Sequence, residues 1–167
     1  DGTTVAALET SGAIVVASGV LDDQGTVQGL AALATAAVPA GGTEFDADVV
    51  ASPALVERDG VLMLFYEGAN ADTRGIGLLT SDDGGATWAR EGAVLTRGAP
   101  GTWDDAWVAD PSVVWDADAG VFHLWYRGSD GDVTRFGYAS SADGRTWTRH
   151  VDDEGVTRSI WNPAVFT

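Results

Sequence analysis

Two carboxylates lie where an acid–base reaction could use them. Asp110 directly precedes Pro111 at the start of a predicted strand, and Glu67 interrupts an apolar, aromatic run. A half-buried carboxylate can have a shifted pKa and act as a general acid or base. Asp110 could equally satisfy backbone N–H groups of a turn. Glu67 could equally form an ion pair with a neighbouring arginine such as Arg74 or Arg127.

Aromatic residues and further carboxylates lie just before the predicted first strands. The tryptophans are Trp103, Trp107 and Trp161, and the carboxylates are Asp48 and Asp105. Indole rings at strand starts could serve as platforms for a ligand ring or could pack between sheets, because tryptophan suits both settings. Both alternatives stay open, and either aspartate could line the rim of a binding site.

These residues belong to a repeat with a spacing of about 60 residues, which is typical of repeat architectures. Matching segments are residues 45–56 with 103–114, 60–68 with 120–128, and 74–81 with 135–141. Each unit is predicted to form four short strands, the first after a proline, with hairpin turns at residues 57–60 and 116–120. Four strands per repeat predict an all-β fold of β-propeller blades, each with four antiparallel strands.

Weaker copies flank the two clear units. Residues 8–16 match 56–64, and residues 161–166 match the first strand of a further unit. We therefore predict one partial propeller domain over residues 1–167. Its units are about 1–41, 42–98 and 99–152, with the first strand of a fourth in 153–167. Three blades and one strand do not close a ring. A fragment, a homo-oligomer that completes the propeller, and a covered edge are the alternatives.

A turn motif closes both clear units. Residues 81–88 read Ser-x-Asp-x-Gly-x-Thr-Trp, the Asp-box pattern of propeller hairpins, and residues 141–147 are a shorter relative. Aspartate can satisfy turn N–H groups, glycine allows positive φ, and tryptophan can pack between blades. The motif predicts structure more than chemistry.

Together, these motifs resemble the five-bladed propellers of the arabinanase–xylosidase and invertase–levansucrase superfamily of glycoside hydrolases. The resemblance covers residues 42–167 well. It implies a funnel on the propeller axis, where carboxylates at the inner strands hydrolyse a glycosidic bond in a poly- or oligosaccharide. Asp110 matches the Asp-Pro that holds the substrate, Glu67 is a candidate general acid, and the tryptophans would bind sugar rings. Ser52 and Asn162 replace carboxylates at the equivalent positions. This favours the alternative, a non-catalytic propeller segment that binds carbohydrate or protein.

The amino-acid composition limits the classes of partner that we expect for this protein. The net charge is −16 and there is no cysteine. A field of that sign repels phosphate backbones and anionic lipid, so we expect neither nucleic acid nor a membrane as a partner. No metal or other cofactor is predicted, although calcium among the aspartate-rich turns stays open. The compartment also stays open, with a secreted or periplasmic one favoured.

Overall fold

The computed structural model of the protein describes residues 3–22, 24 and 27–150. Within these residues the chain forms eleven β-strands and no helix. The strands are β1 Thr3–Thr10, β2 Ala13–Leu21, β3 Val27–Ala37, β4 Val49–Arg58, β5 Val61–Ala69, β6 Arg74–Ser81, β7 Ala89–Leu95, β8 Trp107–Asp116, β9 Val121–Ser129, β10 Thr134–Ser141 and β11 Thr148–Arg149.

The strands form three antiparallel sheets in chain order. Sheet A contains β1-β2-β3, sheet B contains β4-β5-β6-β7, and sheet C contains β8-β9-β10-β11. The predicted all-β fold of blade-like sheets is confirmed, with four strands in sheets B and C and three in the described part of sheet A. The predicted strand at residues 161–166 lies outside the described residues.

The hairpin turns form at the predicted aspartates and glycines. Asp59 and Gly60 join β4 to β5, with φ values of 54° and 81°. Two left-handed residues give a short hairpin the twist of its flanking strands. In sheet C, Asp116 accepts hydrogen bonds from the N–H groups of Asp118 at 3.0 Å and Ala119 at 2.9 Å. Local residue chemistry therefore sets both connections.

Sheet B is packed on both faces. On one face Leu64, Tyr66 and Leu79 join a core with Ile14 and Val16 of sheet A, and each of the five is at most 1% exposed. The other face shares a second core with sheet C, whose buried members include Met63, Phe65, Ile76, Leu78, Val108, Phe122 and Leu124. Burial of apolar surface stabilises by about 25 cal/mol per Å². One core therefore joins sheet A to sheet B, and the other joins sheet B to sheet C.

In sheets B and C, a buried aspartate links the loop before the first strand to the last strand of the same sheet. In sheet B, Asp46 accepts a hydrogen bond from the Tyr66 hydroxyl at 2.8 Å and forms an ion pair with Arg90 of β7. Sheet C repeats the arrangement with Asp104, Tyr126 and Arg149. The recurrence of Asp46 and Asp104 therefore has a structural explanation in each sheet.

The tyrosine of each cluster lies against a glycine on the neighbouring strand. A Cβ atom on Gly77 would lie 2.5 Å from Phe45 and 2.6 Å from Tyr66. A Cβ atom on Gly137 would overlap the Tyr126 ring. Real Cβ contacts are never this short, so the absence of a side chain makes room for the ring.

The turn at residues 81–88 is organised by Asp83. Asp83 accepts hydrogen bonds from the Ser81 hydroxyl at 2.8 Å, from the Thr87 N–H at 2.9 Å and from the Thr87 hydroxyl at 2.6 Å. The Trp88 indole N–H donates to the carbonyl of Gly85 at 3.1 Å, and the ring packs on the core between sheets A and B. The turn thus positions a tryptophan between two sheets.

Candidate functional site

The first strands of the three sheets lie next to one another, with β1 beside β4 and β4 beside β8. Ser52 on β4 and Asp110 on β8 occupy the same position of the repeat, and both have a φ of 49°. A β-bulge interrupts the strand pairing at each of them. Left-handed non-glycine residues and bulges are strained features that are common beside functional sites, where they redirect a side chain.

Asp110 is held in its ionised form. Its carboxylate accepts a hydrogen bond from the Ser52 hydroxyl at 2.7 Å and forms an ion pair with Arg127. Burial acts to raise the pKa of Asp110, but the Ser52 hydrogen bond and the charges of Arg127 and Arg74 outweigh it, so the pKa lies below the ordinary aspartate value. The side chain is still 35% exposed. It can therefore accept hydrogen bonds from a ligand but cannot serve as a proton donor near neutral pH.

Glu9 is a site residue that sequence reasoning missed. Its carboxylate accepts a hydrogen bond at 2.8 Å from the backbone N–H of Ser52, the same residue whose hydroxyl binds Asp110. Ser52 therefore brings two carboxylates from β1 and β8 together. The weak repeat in the first unit aligned Glu9 with Glu57, at the far end of β4, so the alignment pointed away from the site. Only the packing of sheet A on sheet B reveals this contact.

Trp107 lies among arginines beside this pair of carboxylates. The Arg74 guanidinium lies over the indole at 4.7 Å from the ring centre, and that of Arg127 lies at 5.9 Å. Arg74 also binds the buried Glu67 through two nitrogens, at 2.6 and 2.7 Å. Because Glu67 and Asp110 neutralise the two arginines, the cluster is not a free anion-binding site.

Comparison with known proteins identifies the architecture. No protein-family model and no curated protein matches the sequence. Solved structures do match. A family 117 glycoside hydrolase from the marine bacterium Zobellia galactanivorans has a TM-score of 0.68 at 20% identity, over 84% of this chain and 42% of that chain. A sucrose-6-phosphate hydrolase from Lactobacillus gasseri has a TM-score of 0.63 at 15% identity, over 82% and 27%.

A third match is an exo-β-1,3-galactanase from Clostridium thermocellum, with a TM-score of 0.51 at 21% identity over 70% of this chain and 30% of that one. The chain has the fold of the five-bladed propeller glycoside hydrolases. It spans less than half the length of these matched structures. The described sheets are therefore blades of this propeller type, and β1, β4 and β8 are their inner strands.

The other site residues that the sequence predicted lie in different surroundings. Trp103 is 8% exposed and stacks on Tyr126, with ring centres 5.6 Å apart, so it packs between blades rather than facing the inner strands. Asp105 accepts a hydrogen bond from the Gly101 N–H at 2.6 Å within its own loop. Asp48 is exposed, one residue before β4. Trp161 and Asn162 lie outside the described residues.

Other kinds of site find no support in the described part of the chain. Residues 3–22, 24 and 27–150 contain no group of three or more histidine, cysteine or acidic side chains arranged to hold a metal ion. They also form no helix that is long and apolar enough to cross a membrane. The strongest candidate site is therefore the cluster of Glu9, Ser52, Asp110, Arg127, Trp107, Arg74 and Glu67, which we call the inner-strand cluster.

Proposed function

We propose that the protein acts on carbohydrate as a glycoside hydrolase-type propeller, hydrolysing a glycosidic bond of a poly- or oligosaccharide at the inner-strand cluster. The observation that carries the proposal is the state of Asp110. It is an ionised, partly exposed carboxylate at a left-handed position of an inner strand, held by Ser52 and Arg127. The likeness to glycoside hydrolase propellers supports the fold in which this carboxylate lies, and it concerns the fold alone.

Asp110 and Glu9 are the pair of carboxylates that this site offers to a sugar. Glycoside hydrolysis uses two carboxyl groups roughly 5 to 9.5 Å apart, on either side of the bond that breaks. Two hydrogen bonds to the single residue Ser52 limit how far apart these two carboxylates can lie. In the proposed site Asp110 stays ionised, accepts hydrogen bonds from sugar hydroxyls and stabilises the positive charge that develops on the ring in the transition state.

The neighbouring groups define the ligand-facing surface. Trp107 is partly exposed, with Arg74 over its ring, so one region of the indole remains for a sugar ring. Glu67 is 5% exposed and bound to Arg74. Its contribution in this arrangement is to hold Arg74 beside Trp107. A role for Glu67 as general acid would require the ion pair to open when substrate binds.

Carbohydrate binding without hydrolysis is the second candidate function. Ser52 occupies the position in sheet B that Asp110 occupies in sheet C, and Glu67 is bound to an arginine. Both observations leave fewer carboxyl groups for proton transfer. The two candidates share the same ligand class and the same cluster, and they differ in whether a bond breaks.

An activity and binding screen with a matched pair of variants tests the proposal. The full chain is assayed with aryl glycosides and with oligosaccharides, and ligand binding is followed by tryptophan fluorescence. We expect Asp110→Asn to lower kcat/KM at least about 100-fold, which corresponds to about 2.7 kcal/mol. Asp118→Asn, on an exposed turn at the far end of β8, should leave it unchanged.

The outcomes separate the two candidate functions. Binding without turnover that weakens in Asp110→Asn would support the binding protein. Activity or binding equal in the wild type and in Asp110→Asn would contradict both candidates, because the cluster would then be irrelevant to the ligand. A chain that binds none of the sugars tested would contradict the carbohydrate proposal for those sugars.

A further inference from the structure

Arg127 lies beside Asp110 without forming a hydrogen bond. Its Nε faces the Asp110 carboxylate in an ion pair, but the N–H lacks the alignment of a hydrogen bond. Among the buried and half-buried residues that the structure describes, Nε of Arg127 is the only buried side-chain polar atom without a hydrogen-bond partner. Arg74 differs, because its Nε donates to Glu67 and its Nη2 pairs with the same carboxylate. Buried polar groups without a partner are rare in native proteins, so Arg127 needs an explanation.

The guanidinium of Arg127 keeps its hydrogen-bond donors available. The side chain is 41% exposed, and its two Nη groups donate to no other residue of the described part of the chain. A guanidinium carries five N–H donors in one rigid plane. Arg127 lies on β9 opposite Ala109, where sheet B has Glu67 opposite Ala51, so it does not belong to the framework that the two sheets share. A ligand is therefore the natural acceptor for these donors.

Asp110 and Arg127 together place an acceptor next to a donor. A carboxylate only accepts hydrogen bonds and a guanidinium only donates them, whereas a hydroxyl group does both. Two hydroxyl groups on neighbouring carbon atoms of a sugar ring match this arrangement, because one can donate to Asp110 while the other accepts from Arg127. The Arg127 guanidinium lies 5.9 Å from the ring centre of Trp107, so an indole lies close by for the sugar ring to stack on.

The charges of the inner-strand cluster favour an uncharged sugar over an acidic one. Asp110 balances Arg127, Glu67 balances Arg74, and Glu9 adds one further negative charge. A sugar carboxylate, sulfate or phosphate would have to approach this excess of negative charge in a chain whose net charge is −16. A pair of neutral hydroxyl groups leaves the ion pair of Asp110 and Arg127 intact and adds hydrogen bonds to it.

We propose that Arg127 determines the substrate class of this site, by donating to one hydroxyl of a neutral sugar while Asp110 accepts from the hydroxyl on the neighbouring carbon. The substrates are then glycosides with two adjacent free hydroxyl groups. Acidic sugars, and sugars that lack or substitute either hydroxyl, are rejected, because a buried polar group of the site would be left without a partner. This inference rests on the proposed carbohydrate function and adds a ligand-binding residue to it.

A cycle that removes the arginine and the ligand hydroxyl in turn tests this role. The probes are the methyl glycosides of glucose, galactose, mannose, xylose and arabinose, and their binding to the full chain is followed by tryptophan fluorescence. The glycoside that binds most tightly is compared with its monodeoxy analogues, each of which lacks one hydroxyl. In the wild type we expect two analogues, deoxygenated at neighbouring carbons, to bind at least about tenfold more weakly, because each loses a hydrogen bond to a charged group.

Arg127→Gln should bind the parent glycoside as weakly as the wild type binds one of these two analogues, and removal of that hydroxyl should then weaken binding no further. If Arg127 only supported Asp110, the variant would weaken the parent glycoside and its analogues by the same factor. Arg127→Lys keeps the charge but not the planar group, should also lose discrimination, and serves if Arg127→Gln does not fold. Arg145→Gln is the matched control and should bind as the wild type does. Arg145 is an exposed arginine paired with Glu91, in the turn after β10 at the opposite end of sheet C.

The outcomes distinguish this inference from the proposed function. Equal affinity for the parent glycoside and all its analogues would overturn the inference and leave the carbohydrate function standing. The same holds if Arg127→Gln and Arg127→Lys discriminate as the wild type does, or if methyl glucuronide binds more tightly than methyl glucoside. If neither these glycosides nor the oligosaccharides of the activity screen bind, the carbohydrate function itself is contradicted, and the inference falls with it.

Discussion

Sheets B and C are built on the same pattern and differ at the positions that face a ligand or a neighbour. Both contain a buried aspartate that accepts a hydrogen bond from a tyrosine and pairs with an arginine of the outer strand. At the inner strand, however, sheet B has Ser52 where sheet C has Asp110. The shared residues therefore maintain the blade, and the differing ones are the place to look for function.

A second difference accompanies the first. The residue paired with the position before the bulge is Glu67 in sheet B and Arg127 in sheet C. Arg127 binds Asp110 of its own sheet, whereas Glu67 binds Arg74. The acidic inner position thus has a basic neighbour, and the neutral inner position has an acidic one. The two substitutions together keep the inner-strand cluster close to electrically balanced, which a comparison of either position alone would not reveal.

The shared aspartates offer the largest expected effect. Asp104→Ala would remove the acceptor of the buried Tyr126 hydroxyl and the carboxylate partner of Arg149, whose guanidinium would keep only the Thr96 carbonyl. Breaking a buried ion pair costs about 3–5 kcal/mol. Because the Arg149 side chain is 29% exposed and gains water, we expect a loss of about 2–3 kcal/mol in the free energy of unfolding. Urea titration monitored by tryptophan fluorescence measures it.

The same measurement on sheet B tests whether the two blades use the aspartate in the same way. Asp46→Ala should cost a similar amount, since its arginine partner is 36% exposed. Asp72→Ala, on an exposed turn, should change little. A loss in Asp104→Ala no larger than that in Asp72→Ala would show that the shared cluster does not stabilise the blade.

Making the inner position of sheet B acidic should change the titration of sheet C. Ser52→Asp removes the hydroxyl that donates to Asp110 and adds a like charge, and both changes raise the pKa of Asp110. Ser52→Ala removes only the hydrogen bond and should raise it less. Carboxyl carbon chemical shifts followed by NMR against pH measure the two changes. A pKa of Asp110 that stays the same in both variants would contradict the contact with Ser52.

The lowered pKa of Asp110 also predicts how the stability of the fold depends on pH. The folded-state pKa of Asp110 is lowered, so this group stabilises the fold above the ordinary aspartate pKa of about 3.9 and loses that contribution as pH falls. Ser52→Asp should therefore lower stability at neutral pH more than at acid pH. An equal loss at both would indicate that the substitution acts through packing alone.

The fold could be predicted from the sequence because its signals are local. Asp59 and Gly60 in a turn, and Thr-Trp at the end of the turn motif, each act within a few residues. The prediction that the first strands begin after their prolines was wrong, because Pro53 and Pro111 lie inside β4 and β8, where the strand pairing is interrupted. Asp110 was predicted at a strand start, whereas the structure places it at the bulge inside β8, and its role stays a prediction. The partners of Asp110 could not be predicted, because Ser52 and Glu9 reach it from other sheets.

The surroundings of the tryptophans also could not be predicted from the sequence. Trp103 and Trp107 lie only four residues apart, yet one is buried on Tyr126 and the other lies beside Arg74. The loop between them has no periodicity, so its conformation is decided by contacts of the whole blade. For Glu67, the sequence left an acid role and an ion pair open, and the ion pair with Arg74 is what the structure contains.

The turns at residues 81–88 and 141–147 offer the smallest effect and the finest comparison of the two blades. Hydrogen bonds from the Thr87 hydroxyl and N–H, and from Ser81, hold the pKa of Asp83 far below its usual range. The pKa of Asp143 in sheet C is also lowered, chiefly by backbone N–H groups. A carboxylate with a lowered folded-state pKa stabilises the fold above about pH 3.9, and this stabilisation is lost as the pH falls. We therefore expect the free energy of unfolding to decrease less on acidification in Asp83→Asn than in the wild type. Urea midpoints at pH 5 and pH 3 measure it, with the exposed neighbour Asp82→Asn as control. If Asp143→Asn flattens the fall more than Asp83→Asn does, the backbone donors matter more to these turns than the hydroxyls, and the shorter turn is the better anchored of the two.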